Sequence, residues 1–185
     1  MYSEIRNAFL DSRGVTINVS PSLYAMAQDY YTFEQEIRRV INRVCAGFCS
    51  TCTAICCSPD FCQESIDSIW LSLVRTLFES SSLVYNSSTG WLTQQGCSLK
   101  GGRPPVCYDF FCYEITSSIT DNEKQDALNM VGGLVNFIGH RALGAHHMVL
   151  LSTPEQLHRL NRDRFSARLR QAYTILEDCI AILES

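Results

Sequence analysis

Hydrophobic residues recur at three- and four-residue steps in several stretches of this chain, which is the spacing that lines one face of an α-helix. The first predicted helix runs from about residue 22 to at least residue 45. Ser20 followed by Pro21 is typical of an N-cap and a first helical position. The second predicted helix spans 61–80 and has the most regular apolar pattern in the chain. The first half of the chain therefore predicts two long amphipathic helices.

Two further helices are predicted in the second half of the chain. One spans about 121–140 and follows Thr120, which forms a capping-box signature with Glu123. The last begins after Thr153, with Gln156 at the capping-box position, and its apolar stripe continues almost to the end of the chain. These patterns predict a mainly α protein, in which about four long helices form a bundle.

The stretches between the predicted helices differ in character. Residues 15–19 are a candidate arm or short strand. Residues 80–119 are rich in Ser, Gly and Pro, and a loop of about 40 residues inside a compact domain requires something to organise it. We therefore expect a single domain over 1–185, in which a cysteine-rich crossover organised by metal connects the helices of the bundle.

Cysteine decides what kind of site to expect, because nine of the ten cysteines lie between residues 45 and 112. Six of them fall in the run CAGFCSTCTAICCSPDFC, and three fall in GCSLKGGRPPVCYDFFC. Thiolate is a strong ligand for zinc and for the iron of iron–sulfur clusters. The candidate metal ligands are Cys45, Cys49, Cys52, Cys56, Cys57, Cys62, Cys97, Cys107 and Cys112.

Three interpretations of these cysteines compete. Core packing suits a small buried hydrophobe and is preferred for Cys179. A continuing first helix would also put Cys45, Cys49, Cys52 and Cys56 on one face. Disulfides cannot pair all nine. Metal binding is favoured, because two thiolates in a Cys-x2-Cys unit reach the same ion.

The two cysteine runs resemble those of the YkgJ-type cysteine-cluster proteins, a family that is described as zinc- or iron-chelating domains. Its Cys-x2-Cys-x2-Cys-Cys run is matched, with three residues rather than two before the final pair, at Cys49, Cys52, Cys56 and Cys57. Its second motif is matched at Gly96, Cys97, Arg103, Pro104, Cys107, Phe110, Phe111 and Cys112. The resemblance covers residues 45–112 and implies metal binding through these cysteines.

The sequence leaves open which metal binds, how many ions bind, and which other residues lie near them. Zinc is expected and a 4Fe-4S cluster is the alternative, since both take four cysteine ligands. Nine thiols exceed one tetrahedral site, so the chain holds either one site with spare thiols or two metals. Arg103 is a candidate for favouring thiolate over thiol, or else a surface residue. His140, His146 and His147 offer a nitrogen ligand, or else cap a helix and face solvent.

Composition narrows the function classes. A hydrophobic content of 46% supports a real core without disulfides. The first residues are charged where a signal peptide would be apolar, and no apolar run approaches the roughly 20 residues of a membrane span. We therefore expect a cytoplasmic protein with reduced thiols and no membrane partner. The net charge of −4 argues against a nucleic-acid partner.

No Gly-rich phosphate loop, nucleophile elbow or HExxH motif is present, so the sequence points away from an enzyme while leaving that question open. The expected function is cysteine-cluster metal binding with a structural, chelating or regulatory role. The alternative is an iron–sulfur protein with a redox or electron-transfer role. The arginines of the last predicted helix are interpreted as a solvated face rather than a phosphate-binding footprint: Arg159, Arg162, Arg164, Arg168 and Arg170.

Overall fold

The computed structural model describes residues 8–10, 14, 16–49, 58–79, 85–93 and 96–185, and these are mainly helical, as predicted. The helices are α1 (Pro21–Cys49), α2 (Pro59–Asp67), α3 (Ile69–Phe78), α4 (Val106–Asp109), α5 (Tyr113–Ser118), α6 (Asn122–Gly139), α7 (Pro154–Leu157) and α8 (Arg162–Glu184). Two short antiparallel pairs accompany them: β1 (Ala8–Leu10) with β2 (Thr16–Asn18), and β3 (Leu92–Thr93) with β4 (Gly96–Cys97).

Helix α1 confirms the first predicted helix and its start. The Ser20 Oγ accepts a hydrogen bond from the Leu23 N–H at 3.1 Å, so Ser20 is the N-cap and Pro21 is the first helical residue. The buried face of α1 includes Tyr30, Phe33 and Ile37, which are fully buried. The continuation of the cysteine stripe beyond Cys49 lies outside the described residues.

The prediction of one continuous helix over 61–80 is wrong, because Ser68 divides it into α2 and α3. Ser68 has an extended backbone, and its N–H donates to the Glu64 carbonyl, which ends α2. The Ser68 Oγ then accepts from the Leu71 N–H at 3.2 Å, which starts α3. The N–H of Ile69 donates to the Leu151 carbonyl at 2.8 Å, so the break is fixed by a distant segment.

Helix α6 confirms the helix predicted over 121–140, but its cap is Asp121 rather than Thr120. The Asp121 Oδ1 accepts from the N–H groups of Glu123 and Lys124, at 2.8 and 3.3 Å. Aspartate one residue later fills the same role, because its oxygen reaches the first free N–H groups of the helix.

The last predicted helix is also two helices. Gln156 accepts from the Thr153 N–H at 3.1 Å, as a capping box requires, but α7 ends after one turn. The Asn161 Oδ1 accepts from the Arg164 N–H at 2.9 Å and caps α8. The N–H of Asn161 donates to the Ala142 carbonyl at 2.8 Å, so contact with the turn that follows α6 sets the interruption.

The main core lies where α1, α6 and α8 pack together and where α3 packs against α1. Aromatic rings fill its centre: Phe33 meets Tyr173 edge to face at a centroid distance of 4.9 Å, and Tyr30 meets Trp70 in the same way at 5.4 Å. Within the described part of the chain, no helix is both long and apolar enough to span a membrane.

Candidate metal centre

Five of the nine predicted ligands have side chains in the described part of the chain. Cys52, Cys56 and Cys57 lie outside the described residues, and so does the side chain of Cys49, the last residue of α1. Among the others, Cys45 and Cys62 are buried, Cys97 and Cys112 are half-buried, and Cys107 is exposed. The described part of the site therefore consists of Cys45, Cys62, Cys97, Cys107 and Cys112.

A first meeting point of the two cysteine runs lies beside α2. Cys62 belongs to a small buried cluster with Trp91 and Leu99, and Cys97 packs against that cluster. The Trp91 Nε1–H donates to the Ser65 Oγ at 2.7 Å, and that hydroxyl donates to the Cys62 carbonyl at 2.6 Å. A cysteine of the first run and a cysteine of the second run are therefore brought into one cluster.

A second meeting point lies near the carboxyl end of α1. Cys45 forms a separate buried cluster with Ile115 of α5 and Leu128 of α6, and Cys112 packs against it. This cluster shares no buried residue with the one around Cys62. The described cysteines therefore form two groups rather than one.

Cys107 follows Cys97 on the segment that also carries Leu99, a member of the Cys62 cluster. Burial raises the pKa of Tyr30 well above its usual value, and the negative charges of Glu34, Glu64 and Cys107 raise it further. Cys107 precedes Tyr108, whose hydroxyl donates to the Glu34 carboxylate at 2.6 Å, so Cys107 lies near the Glu34 level of α1. Cys45 follows Glu34 by about three turns, a rise of roughly 16 Å along the helix.

The buried carboxylate of Glu34 holds the segment that carries Cys97 and Cys107. Its Oε2 accepts from the Gly102 N–H at 2.7 Å. Its Oε1 accepts from the Arg103 N–H at 2.8 Å and from the Tyr108 hydroxyl at 2.6 Å. Burial raises the pKa of Glu34, although these three hydrogen bonds and the Arg103 charge act to lower it.

Arg75 of α3 and Glu79, the residue that follows α3, also hold this segment. The Arg75 Nη1 donates to the Gly102 carbonyl at 3.2 Å, and its guanidinium lies 5.4 Å from the centre of the Trp91 ring. Glu79 accepts from the Gly101 N–H. Gly102 has φ +63°, and a Cβ there would lie 2.7 Å from the Leu71 carbonyl oxygen, so only glycine fits this close approach.

Arg103 is half-buried, and its Nε donates to the Leu99 carbonyl at 2.8 Å, so its interpretation as a solvated surface residue is wrong. Burial acts to lower the pKa of its guanidinium, but the net shift is upward because Tyr108, Cys97, Cys107 and Glu34 surround it. Cys97 and Cys107 are therefore among the groups that act electrostatically on the Arg103 guanidinium.

Within the described ranges, no group of three or more Cys, His, Asp or Glu side chains is arranged to hold a metal ion. The Cys62 and Cys45 groups each bring together a few thiols, fewer than the four ligands of a closed zinc site. Further ligands would have to come from side chains outside the described set, where four of the predicted cysteines lie.

His147 has a structural role instead of the nitrogen-ligand role that the sequence left open. Its Nε2–H donates to the Asn136 carbonyl at 2.8 Å, and its Nδ1 accepts from the Val149 N–H at 3.2 Å. Both ring nitrogens are therefore occupied in the neutral tautomer, and burial lowers the pKa of the ring. His140 and His146 are exposed.

The basic face of α8 is mostly solvated, as interpreted. Arg164 donates to the Arg141 carbonyl at 2.8 Å, and the guanidinium of Arg168 lies 5.6 Å from the centre of the Phe137 ring. Cys179 is buried in the main core, in agreement with its packing interpretation. Tyr113, the first residue of α5, is 83% exposed.

The residues that hold the cysteine segment are not predicted by the motifs of the sequence, and they are Glu34, Arg75 and Glu79. A signal for Glu34 was present, because it falls between Phe33 and Ile37 in the apolar stripe of α1. A carboxylate at such a position costs free energy unless it is fully hydrogen-bonded, so it predicts partners elsewhere in the chain. The pattern alone does not identify those partners.

Comparison of this chain with family models, with curated proteins and with solved structures gives no match. The resemblance to the YkgJ-type cysteine-cluster proteins therefore stays a prediction that depends on the quoted cysteine, Gly-Cys and Arg-Pro positions.

Proposed function

We propose that this protein binds metal through its cysteine cluster, with zinc as the preferred ion, and that the metal has a structural or chelating role. One observation carries the proposal: the fold joins the two cysteine runs twice, because Cys97 packs against the Cys62 cluster and Cys112 packs against the Cys45 cluster. The hydrogen bonds of Arg103 to Glu34 and to the Leu99 carbonyl support it, because they fix the chain between Cys97 and Cys107.

Two ions account for the nine thiols better than one. Zinc–sulfur bonds are about 2.3 Å long, so thiols on one ion lie only a few ångströms apart. The Cys45 and Cys62 groups lie in separate clusters that share no buried residue. We infer one ion near each group, with the remaining ligands supplied by Cys49, Cys52, Cys56 and Cys57.

In this proposal the metal completes the cysteine-rich crossover of the helical bundle. The expected setting is the cytoplasm, where thiols stay reduced. Ligands must be deprotonated and brought together for the ion to bind, so metal affinity becomes folding free energy for the crossover. Chelation is therefore expected to loosen residues 85–112 more than the packed helices α1, α6 and α8.

The first experiment measures metal and acid-labile sulfide, with a visible absorption spectrum, on protein purified without oxygen. About two zinc per chain and no colour are expected for two tetrahedral sites. Iron with matching sulfide and broad absorption near roughly 400 nm would replace zinc by the iron–sulfur alternative. Protein that contains neither metal, and takes up none, would refute the proposal.

Single cysteine variants test the assignment of thiols to two groups. Cys107→Ser and Cys112→Ser are each expected to lose about one of the two ions, because each removes a ligand from a different group. Cys179→Ala is the matched control, since Cys179 is buried in the main core and is expected to leave metal content unchanged. Full metal content in both serine variants would show that these groups do not bind the ions.

A further inference from the structure

We propose that Glu34 is a positioning residue of the cysteine centre: its carboxylate holds the Cys97–Cys107 segment in a ligand-ready arrangement before any metal binds. This inference depends on the proposed function above and adds the means by which the site is prepared. Glu34 itself is not a metal ligand in this scheme, because all of its hydrogen bonds go to the protein.

The hydrogen bonds of Glu34 fix both the position and the direction of this segment. The two carboxylate oxygens bind consecutive backbone N–H groups, those of Gly102 and Arg103, at 2.7 and 2.8 Å. The third bond comes from the hydroxyl of Tyr108, the residue after Cys107, at 2.6 Å. The segment is therefore held at two points that lie between and beside the two cysteines.

An apolar residue at position 34 would complete the buried face of α1 at lower cost. A fully buried carboxylate is expensive to desolvate, and it becomes tolerable only when its oxygens are all hydrogen-bonded. Within the part of the chain that the structure describes, every hydrogen-bond donor to Glu34 belongs to the cysteine segment. What Glu34 does that leucine cannot do is to bind that segment.

The hydrogen bonds of Glu34 affect the two cysteines through Arg103. Arg103 donates its backbone N–H to Glu34 and its Nε–H to the Leu99 carbonyl, two residues after Cys97. Cys97 and Cys107 are among the groups that raise the pKa of its guanidinium. Loss of the Glu34 contacts would release the backbone at 102–103 and with it the guanidinium. Partners that orient ligands without touching the ion typically contribute 10–100-fold to metal affinity.

The test titrates the metal-free, reduced, full-length protein with Co²⁺, which reports thiolate ligation by a charge-transfer band. Glu34→Gln keeps the size of the side chain but replaces one acceptor oxygen with a donor facing a backbone N–H. Its cobalt affinity is expected to fall by about 10–100-fold, with a weaker and shifted thiolate band. The matched control is Glu36→Gln on the same helix, where the carboxylate is solvent-accessible and pairs with Arg39.

Tyr108→Phe is the second variant, and it removes one donor while leaving Glu34 in place. It is expected to weaken cobalt binding less than Glu34→Gln does, and it keeps the inference testable if Glu34→Gln fails to fold. Wild-type cobalt affinity and spectrum in Glu34→Gln, or in Tyr108→Phe when that variant alone folds, would overturn the role of Glu34. Wild-type protein that binds no cobalt would overturn the proposed function as well, so the two failures are distinguishable.

Hydrogen exchange in the metal-free protein tests preorganisation directly. The Gly102 and Arg103 amides are expected to be protected in wild type and in Glu36→Gln, and to exchange faster in Glu34→Gln. Rapid exchange of both amides in metal-free wild-type protein would contradict the inference, because the segment would then be ordered by metal alone.

Discussion

The packed helices α1, α6 and α8 and the segment 85–112 are stabilised in different ways. The helices meet through many aliphatic and aromatic contacts, in which each side chain contributes a modest share. The segment has short elements and depends on a few buried polar contacts, above all those of Glu34, Arg75 and Glu79. The helical core therefore tolerates swaps that conserve side-chain volume, whereas a polar contact of the segment is lost as soon as one partner changes.

The largest expected effect comes from a large-to-small substitution in the core between the packed helices. Phe33→Ala removes a fully buried ring that meets Tyr173, and it should lower the free energy of unfolding by about 3–5 kcal/mol. Urea unfolding followed by circular dichroism measures it. Met130→Ala, at an exposed site on α6, should change stability by less than about 0.5 kcal/mol. A loss below 1 kcal/mol for Phe33→Ala, on the scale just given, would mean that the ring is not core.

A smaller effect is expected when one polar contact of the segment is removed. Tyr108→Phe leaves the Glu34 carboxylate without its hydroxyl donor and should cost about 1.5–3 kcal/mol, the range for hydrogen bonds to charged groups. Thermal or urea unfolding of the metal-free protein measures this cost. Tyr113→Phe loses the same atom at an exposed position and should be neutral. Equal stability of the two variants would argue that the Tyr108 contact does not stabilise the fold.

The contact between α6 and α4, where the two regions meet, can be tested at adjacent glycines of α6. A Cβ at Gly132 would lie 2.7 Å from the Tyr108 carbonyl oxygen and 3.0 Å from the Asp109 Cα, so Gly132→Ala should push α4 away at a cost of about 1–3 kcal/mol. A Cβ at Gly133 meets nothing within 4 Å, and Gly133→Ala should stabilise the helix by up to about 1 kcal/mol. Opposite signs in urea unfolding are the expected result.

The smallest effect is a pH dependence on the helical side. Burial lowers the pKa of His147, so its contribution to stability is present above the unfolded-state pKa of about 6.5 and is lost as pH falls below it. The neutral ring is also required for the bond from the Val149 N–H to Nδ1. His147→Gln should flatten the stability profile between about pH 7 and 5, whereas His140→Gln, at an exposed position, should not. A wild-type slope that survives in His147→Gln would assign it to other groups.

Sequence patterns predicted the helices well where one stripe of side chains faces one core. Ser20, Pro21 and the apolar spacing placed the start of α1 correctly. The same reasoning missed the breaks at Ser68 and before Asn161, because bonds to the distant Leu151 and Ala142 carbonyls fix them. Periodicity records a neighbour three or four residues away and carries no information about a partner elsewhere in the chain.

The candidate site was predictable in its residue types and not in its arrangement. The crowding of cysteines pointed to thiolate chemistry, and Arg103 was singled out for its place beside them. The division into groups around Cys62 and Cys45 depends on how α2, α5 and α6 pack, which local spacing does not determine. A search for charged residues inside apolar stripes would have found Glu34 and left its partners unknown.

The Glu34 contacts also have a consequence for how the chain reaches its native state. Gly102 and Arg103 follow Glu34 by 68 and 69 residues, so these bonds close a long loop, and long loops close late in folding. During synthesis, the first six cysteines emerge well before the residues that will anchor the other three. The yield of native protein is therefore expected to depend on reductant or metal being present before the second half of the chain has been synthesised.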